Sequence, residues 1–407
     1  MSLEDIFKSA VRDRDIPGAV LVASNARGDF YYENAFGLRS LKDGRSDPLT
    51  VNDVFFMASC TKLMTAIAVL QCVERGQFTL DEDVTRLLPE LKGIEILKGF
   101  EKSTGKPIMV KPKKALTLRL MLSHSSGLAY DVFNPSLQKW RRSRGEKAQF
   151  TAGSLIYRCT TPLVFEPGEE FAYGTGYDAN ELTLGEYMKQ KIWIPLGIKG
   201  MTFHLGEEQA LLNSMVDMSM RLGGENTFGT PKHPHAKVAW SKDKVWANNM
   251  KDDSGGAGVS GRTTDYIKIL HSITVGDGKL LKGVSLDEMF KPQLSSSSQA
   301  YLMKLLRVPE LNDSMGLSMP MGTRLDHGLA GMLCLEDIEG RRRSGTMFWS
   351  GLPNLFWFSD RKGGMCGMYA SQVIPAGDPK STLLFAQFET AMYDRAKASE
   401  RSKKERL

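Results

Sequence analysis

The chain has 407 residues, 42% of them hydrophobic and 25% charged, with a net charge of +6. That make-up suits a globular protein of one large or two interwoven domains. The charge is too slight for a nucleic-acid binder, and no stretch is long and uncharged enough to span a membrane. Five cysteines (Cys60, Cys72, Cys159, Cys334, Cys366) form no C-x-x-C pair, and the six histidines contain no H-E-x-x-H, so neither a disulfide framework nor a zinc site is expected. The opening "MSLEDIFKSAVRDRD" lacks the apolar core of a signal peptide, which leads to the expectation of a cytoplasmic protein.

In chain order, Leu3, Ile6, Phe7, Ala10 and Val11 share one face of an amphipathic helix. "IPGAVLVASNARGDFYYENAFG" reads as two strands around a turn at "SNARGD". A long apolar helix follows within Phe55 to Gly76, with Gly76 as its stop signal. "LTLRLMLSHSSGL" reads as a short helix closed by a Ser/Gly turn. Residues 77 to 245 carry few strand patterns and read as helix and loop. "SGGAGVSGRTTDYIKILHSI" is a Gly-rich loop entering a helix near Thr264. After about 325, "GLAGMLCLED", "SGTMFWSG", "NLFWFSD" and "GMCGMYASQV" are short strands between turns, with Trp349-Ser350-Gly351 on an edge strand. A final helix begins at Ser381. Three basic runs punctuate the chain: Lys111, Lys113 and Lys114; Lys139, Arg141, Arg142 and Arg144; and Arg341, Arg342 and Arg343. They read either as solvated loops, with a turn aiming the last run at solvent, or as a landing surface for an acidic partner or a phosphate group.

The apolar helix contains a costly residue. Ser59 and Lys62, in the order S-x-x-K, stand one helical turn apart at its start. The spacing itself says little, because it recurs at Ser103/Lys106, Ser136/Lys139, Ser241/Lys244 and Ser359/Lys362. Only the first copy opens an apolar helix. A serine hydroxyl needs a base to become a nucleophile. A lysine kept out of water loses stabilisation of its ammonium form, so the context that makes Lys62 costly also makes it a candidate base. The competing reading is a core-helix lysine that snorkels to the surface.

Two further segments bear on this choice: "FEPGEEFAYGTGYDAN", with Tyr173 after a Pro-Gly turn, and "GTMFWSGLPNLFWF". With Ser59-Cys60-Thr61-Lys62 and "LMLSHSSGL", they make the chain resemble the serine β-lactamase and penicillin-binding-protein superfamily, in its class-C-like esterase and transesterase branch. "IPGAV", "LQCVERG", "PMGTRLDHGLAGMLCLED" and "GLPNLFW" look most like the fungal acyltransferases of the lovastatin (simvastatin synthase) type.

The resemblance implies an α/β (α+β) β-lactamase/transpeptidase-like fold: an antiparallel sheet flanked by N- and C-terminal helices, with a large helical insertion. Residues 1–58 and 256–407 would form a discontinuous sheet domain, residues 59–255 a helical domain, and the active site would lie between them. It also implies catalytic Ser59, Lys62 and Tyr173, an oxyanion hole from the backbone N–H groups of Ser59 and Leu352, and a substrate-binding strand of Trp349, Ser350 and Gly351. No cofactor or metal is implied.

Two departures from the family pattern shape the reading. Trp349 stands where a cation would hold a substrate carboxylate, which favours esters or thioesters over penicillins. After Tyr173, "YDAN" runs almost directly into "ELTLGEYM", about a dozen residues shorter than the helix-bearing segment the resemblance implies. The expected activity is acyl transfer in secondary metabolism: an acyl-serine formed from an ester or thioester, then passed to a small-molecule alcohol. The donor would be carried on an acyl carrier domain or CoA, and no nucleic acid or membrane partner is expected. Carboxylesterase is the alternative; a β-lactamase or a non-catalytic homologue ranks lower.

Overall fold

The computed structural model describes residues 1–149, 154–177, 184–223, 233, 235–243, 245, 252–316 and 319–404. Its centre is a seven-stranded antiparallel sheet drawn from both ends of the chain. The strands are β1 (Gly18–Asn25), β2 (Tyr31–Gly37), β3 (Leu325–His327), β4 (Met332–Cys334), β5 (Met347–Gly351), β6 (Leu355–Asp360) and β7 (Met365–Ala370), in the spatial order β3-β4-β5-β6-β7-β1-β2. The join between the two ends is the β1–β7 ladder, Val20↔Ala370 to Asn25↔Met365.

Both faces of this sheet are covered, which is why β1, β6 and β7 read as nearly unbroken apolar runs. On one face lie α1 (Leu3–Arg12) and the C-terminal helix (Pro379–Lys404). Phe7 of α1 stacks on Phe36, and Phe385 of the last helix packs on Phe356 and Phe358. Ser2 starts α1 with a capping box to Asp5. The other face is covered by the helix Thr263–Val275. Its His271 meets Ser24 of β1 and its Thr274 meets Ser359 of β6.

The helix that follows Ser59 is α2 (Thr61–Glu74), entered through a single 3-10 turn, Ala58–Cys60, and followed by Gly76 in the left-handed region. Residues Thr61 to Gln71 are all buried, so α2 is apolar all round and runs through the core. Just before the turn, Phe55 and Phe56 pair with Gly261 and Ser260. That short ladder places the Gly-rich loop from Ser254 beside the start of α2.

The middle of the chain contains more strand than its pattern suggests: Ile96–Phe100 and Pro107–Val110 form a two-stranded hairpin. The strand bearing Trp349 is also not the sheet's edge. Strand β5 is third in order, but its pairing with β4 ends at Met332↔Phe348. Trp349, Ser350 and Gly351 continue past that point, paired to β6.

The basic runs divide. Lys111, Lys113, Lys114, Lys139, Arg142 and Arg144 are exposed. Arg141 is buried against Asp131 and Glu146. The last run does not face solvent as a whole: Arg342 is fully buried and shares Glu389 of the C-terminal helix with Arg341. A charge run has no intrinsic orientation; a buried carboxylate opposite it decided this one. Among the described residues no helix is long and apolar enough to cross a membrane.

Candidate active site

Ser59 lies in the 3-10 turn, directly after Ala58, which has a positive φ of 45°. A non-glycine residue held there is strained, and such strain clusters where a side chain must be presented. Lys62, one turn on, does not snorkel. It is 1% exposed, and its Nζ donates to the Gly256 carbonyl at 2.7 Å, to Ser59 Oγ at 3.3 Å and to the Tyr130 hydroxyl at 3.3 Å. Two threonines fasten the same Gly-rich loop: Thr65 Oγ1 donates to the Gly255 carbonyl, and Thr61 Oγ1 accepts from the Val259 N–H. One face of α2 therefore grips the loop that supplies the lysine's carbonyl acceptor.

Tyr173 closes the group, its hydroxyl donating to Ser59 Oγ in a short hydrogen bond. Lys62 Nζ also lies 4.8 Å from the Tyr173 ring centroid and 5.5 Å from that of Tyr130. Ser59, Lys62 and Tyr173, more than a hundred positions apart at the extremes, are thus brought into one hydrogen-bonded chain. Among the described residues, the other S-x-x-K copies are not built this way. Ser103/Lys106 and Ser136/Lys139 are exposed, and Ser359 is buried while Lys362 is 63% exposed. Lys244 lies outside the described residues.

Cys60, next to Ser59, is fully buried, and burial pushes its thiol well above the ordinary value despite the nearby lysine. It therefore offers no competing thiolate.

The strand Trp349–Gly351 runs against the turn that carries Ser59. A β-carbon at Gly351 would meet the Met57 carbonyl at 2.5 Å and Cys60 Sγ at 3.2 Å, so only glycine allows the approach. Leu352, the next residue, packs in the same apolar group as Phe56 and Ala58. Ser350 is turned aside, its Oγ donating to the Ser314 carbonyl at 3.3 Å. Trp349 is 3% exposed; its ring lies 5.4 Å from Tyr173 and 5.5 Å from His327 between centroids.

Several participants escape a reading of motifs. Tyr130 sits two residues after "HSSGL", the one local signal that could have flagged it. The Gly256 carbonyl lies in a Gly-rich loop whose partner no spacing reveals. His124 and His327 pack on each other at 5.2 Å and on Tyr173 and Trp349 respectively. Burial holds His327 neutral, down to about 4, while its Nδ1–H donates to the Gly328 carbonyl at 2.6 Å. The shortened segment after Tyr173 falls on residues 178–183, outside the described residues.

A serine on a strained turn, with a buried lysine and a tyrosine at its oxygen and a glycine strand alongside, defines a serine acyl-enzyme architecture on an α/β sheet. Residues 3–377 match the Beta-lactamase family model, and the chain belongs to that family. It is 33% identical to the monacolin J acid methylbutanoyltransferase of Aspergillus terreus, covering 96% of this chain and 95% of that one. It is 34% identical to the lovastatin esterase of Penicillium rubens, covering 91% and 92%. A solved structure of a simvastatin synthase mutant from Aspergillus terreus superposes with a TM-score of 0.87 at 34% identity, covering 97% of this chain and 95% of that one. The chain is an enzyme of the acyltransferase and esterase branch of this superfamily.

Proposed function

We propose that Ser59 is the nucleophile of an acyltransferase that passes an acyl group from a thioester to the hydroxyl of a polyketide alcohol. The observation that carries this reading is the continuous chain Tyr173–Ser59–Lys62–Tyr130. In the first half-reaction Ser59 Oγ bonds to the acyl carbon while its proton passes into the Lys62/Tyr173 pair. The carbon–sulfur bond then breaks and the thiol leaves with that proton. In the second half-reaction the alcohol gives its proton to the same pair and its oxygen bonds to the acyl carbon; the bond from that carbon to Ser59 Oγ then breaks, and Ser59 leaves with the proton from the pair.

The negative oxygen formed in each half falls to the backbone N–H groups of Ser59 and Leu352, an assignment supported by the close packing of Gly351 on the nucleophile turn. Trp349, Ser350 and Gly351 form the wall of the acyl site. Here Trp349 brings an apolar surface and no charge. The division into a sheet domain (1–58, 256–407) and a helical domain (59–255) belongs to the same proposal, with the site at their junction.

The substrate class follows from the relatives. A methylbutanoyltransferase acting on monacolin J acid and a lovastatin esterase, each about one-third identical over nearly the whole chain, support a short acyl group and a polyketide partner. The donor we assign is a thioester on an acyl carrier domain or CoA, and the setting is the cytoplasm. Ester hydrolysis is the second reading, favoured by the esterase relative; it uses the same acyl-serine with water as acceptor. Turnover of a p-nitrophenyl ester with and without a competing alcohol separates the two. Alkyl ester product supports the transferase, and release unaffected by alcohol supports the esterase. No turnover together with no Ser59 adduct would sink both.

A further inference from the structure

His124 lies in the turn that ends the helix Leu118–Leu122, with a positive φ of 56°. Two hydrogen bonds tie it to the segment carrying Tyr173, one on each side of the tyrosine. Its backbone carbonyl accepts from the Ala172 N–H at 2.9 Å, and its ring Nδ1 accepts from the Gly174 N–H at 3.4 Å. Its ring also meets the Tyr173 ring edge-on, at 4.8 Å between centroids. The two strands of chain run so close that a β-carbon at Gly174 would collide with the Leu128 carbonyl and come within 2.7 Å of Ala129 Cα. The Tyr130 N–H closes the arrangement onto the Tyr173 carbonyl at 3.3 Å.

An imidazole that accepts at Nδ1 must be neutral, with its proton on Nε2. The surroundings enforce that state. Burial pushes His124 well below its ordinary value, and the neighbouring His327 and Lys62 push the same way.

We propose that His124 is a positioning residue for Tyr173, clamping the backbone on both sides of the tyrosine so that its hydroxyl stays on Ser59 Oγ. The inference rests on the acyl-serine reading above. A reacting group misplaced by about 1 Å costs on the order of 10²-fold in rate, so a backbone clamp is worth having only where geometry is critical.

The test compares three replacements in the full chain, using p-nitrophenyl butanoate hydrolysis and melting temperature. His124→Phe keeps an aromatic ring but has no acceptor. His124→Asn places Oδ1 near the former Nδ1 and tolerates the left-handed backbone. His124→Gln carries its oxygen one atom further out. The expected result is a kcat loss of about 10- to 100-fold for His124→Phe with KM within about threefold. His124→Asn should recover to within about fivefold of wild type, with His124→Gln about tenfold below His124→Asn. Should His124→Phe fail to fold, the Asn/Gln comparison decides alone. Equal activity of His124→Asn and His124→Gln, or wild-type kcat in His124→Phe, overturns the proposal. A wild-type chain that forms no Ser59 adduct with a fluorophosphonate overturns the acyl-serine reading instead, and the two failures are distinct.

Discussion

Lys62 and Arg342 are both basic side chains sealed from water, at 1% and 0% exposure, and they are held in opposite ways. Arg342 faces the carboxylate of Glu389, with two contacts of 2.7 Å, and Arg341 shares the same carboxylate. Lys62 reaches a backbone carbonyl and two hydroxyls, one of them on Ser59. A carboxylate partner fixes a cation in its charged form. Hydroxyls both donate and accept, so protons can pass among them. Burial of charge alone therefore does not mark a working site; the chemistry of the partner separates a strut from a proton relay.

The sharpest way to break this contrast is to remove the relay. Ser59→Ala should abolish the fluorophosphonate adduct, and an adduct persisting on Cys60 would show the nucleophile to be wrongly chosen. Lys62→Met should lower kcat/KM by about 10²–10⁴-fold while the melting temperature holds or rises, since a buried polar head group is exchanged for an apolar chain of similar length. An active Lys62→Met enzyme would make this lysine a strut as well.

At the other cation the effects should be reversed. Glu389→Ala leaves Arg342 buried without its carboxylate and should cost about 3–5 kcal/mol in chemical denaturation. The fraction that remains folded should acylate at the wild-type rate. Tyr130→Phe should have a smaller effect, about tenfold in kcat/KM, because it deletes one of the three acceptors of Lys62 and leaves Tyr173 on Ser59. A loss as large as that of Lys62→Met would place Tyr130 in the proton path itself.

Acid should separate two further buried groups. Burial pushes the Glu389 carboxyl up, but Arg342 and Arg341 overcome that and hold it at about 2, against 4.5 ordinarily. Its contribution to stability is complete above about pH 4.5 and is lost as pH falls towards 2. His327 is kept neutral, at about 4 against 6.5. Folding is favoured fully above pH 6.5 and is progressively opposed as pH falls from 6.5 to 4, where the unfolded chain takes up the proton first. Denaturation midpoints should therefore decline in two stages. His327→Phe should make the upper stage shallower, with His124 supplying the remainder, and leave the lower stage unchanged; an unchanged profile would remove His327 from the account.

Much of the sheet was legible because both of its faces are covered: β6 and β7 could only be apolar throughout, and turns such as "DRKGG" cut them apart. The hairpin Ile96–Phe100 and Pro107–Val110 escaped notice because its exposed positions include the apolar Ile108 and Val110 beside Lys98, and its register shifts between Leu97 and Gly99, which blurs the alternation. The basic runs misled for a related reason. Arg141 and Arg342 look like their exposed neighbours, and only Asp131 and Glu389, brought in by folding, select them for burial.

The sequence by itself determined the apolar helix after Ser59 and the order of the motif-bearing segments, since both are written in local composition and spacing, and the family resemblance marked Trp349 as an apolar replacement. Only the tertiary structure decided that Lys62 stays buried instead of snorkelling, that Tyr130 and the Gly256 carbonyl share it, and that His124 grips both sides of Tyr173. Those contacts join residues between 48 and 194 positions apart. A hydrogen bond depends on where two atoms stop in space, and no periodicity along the chain records that.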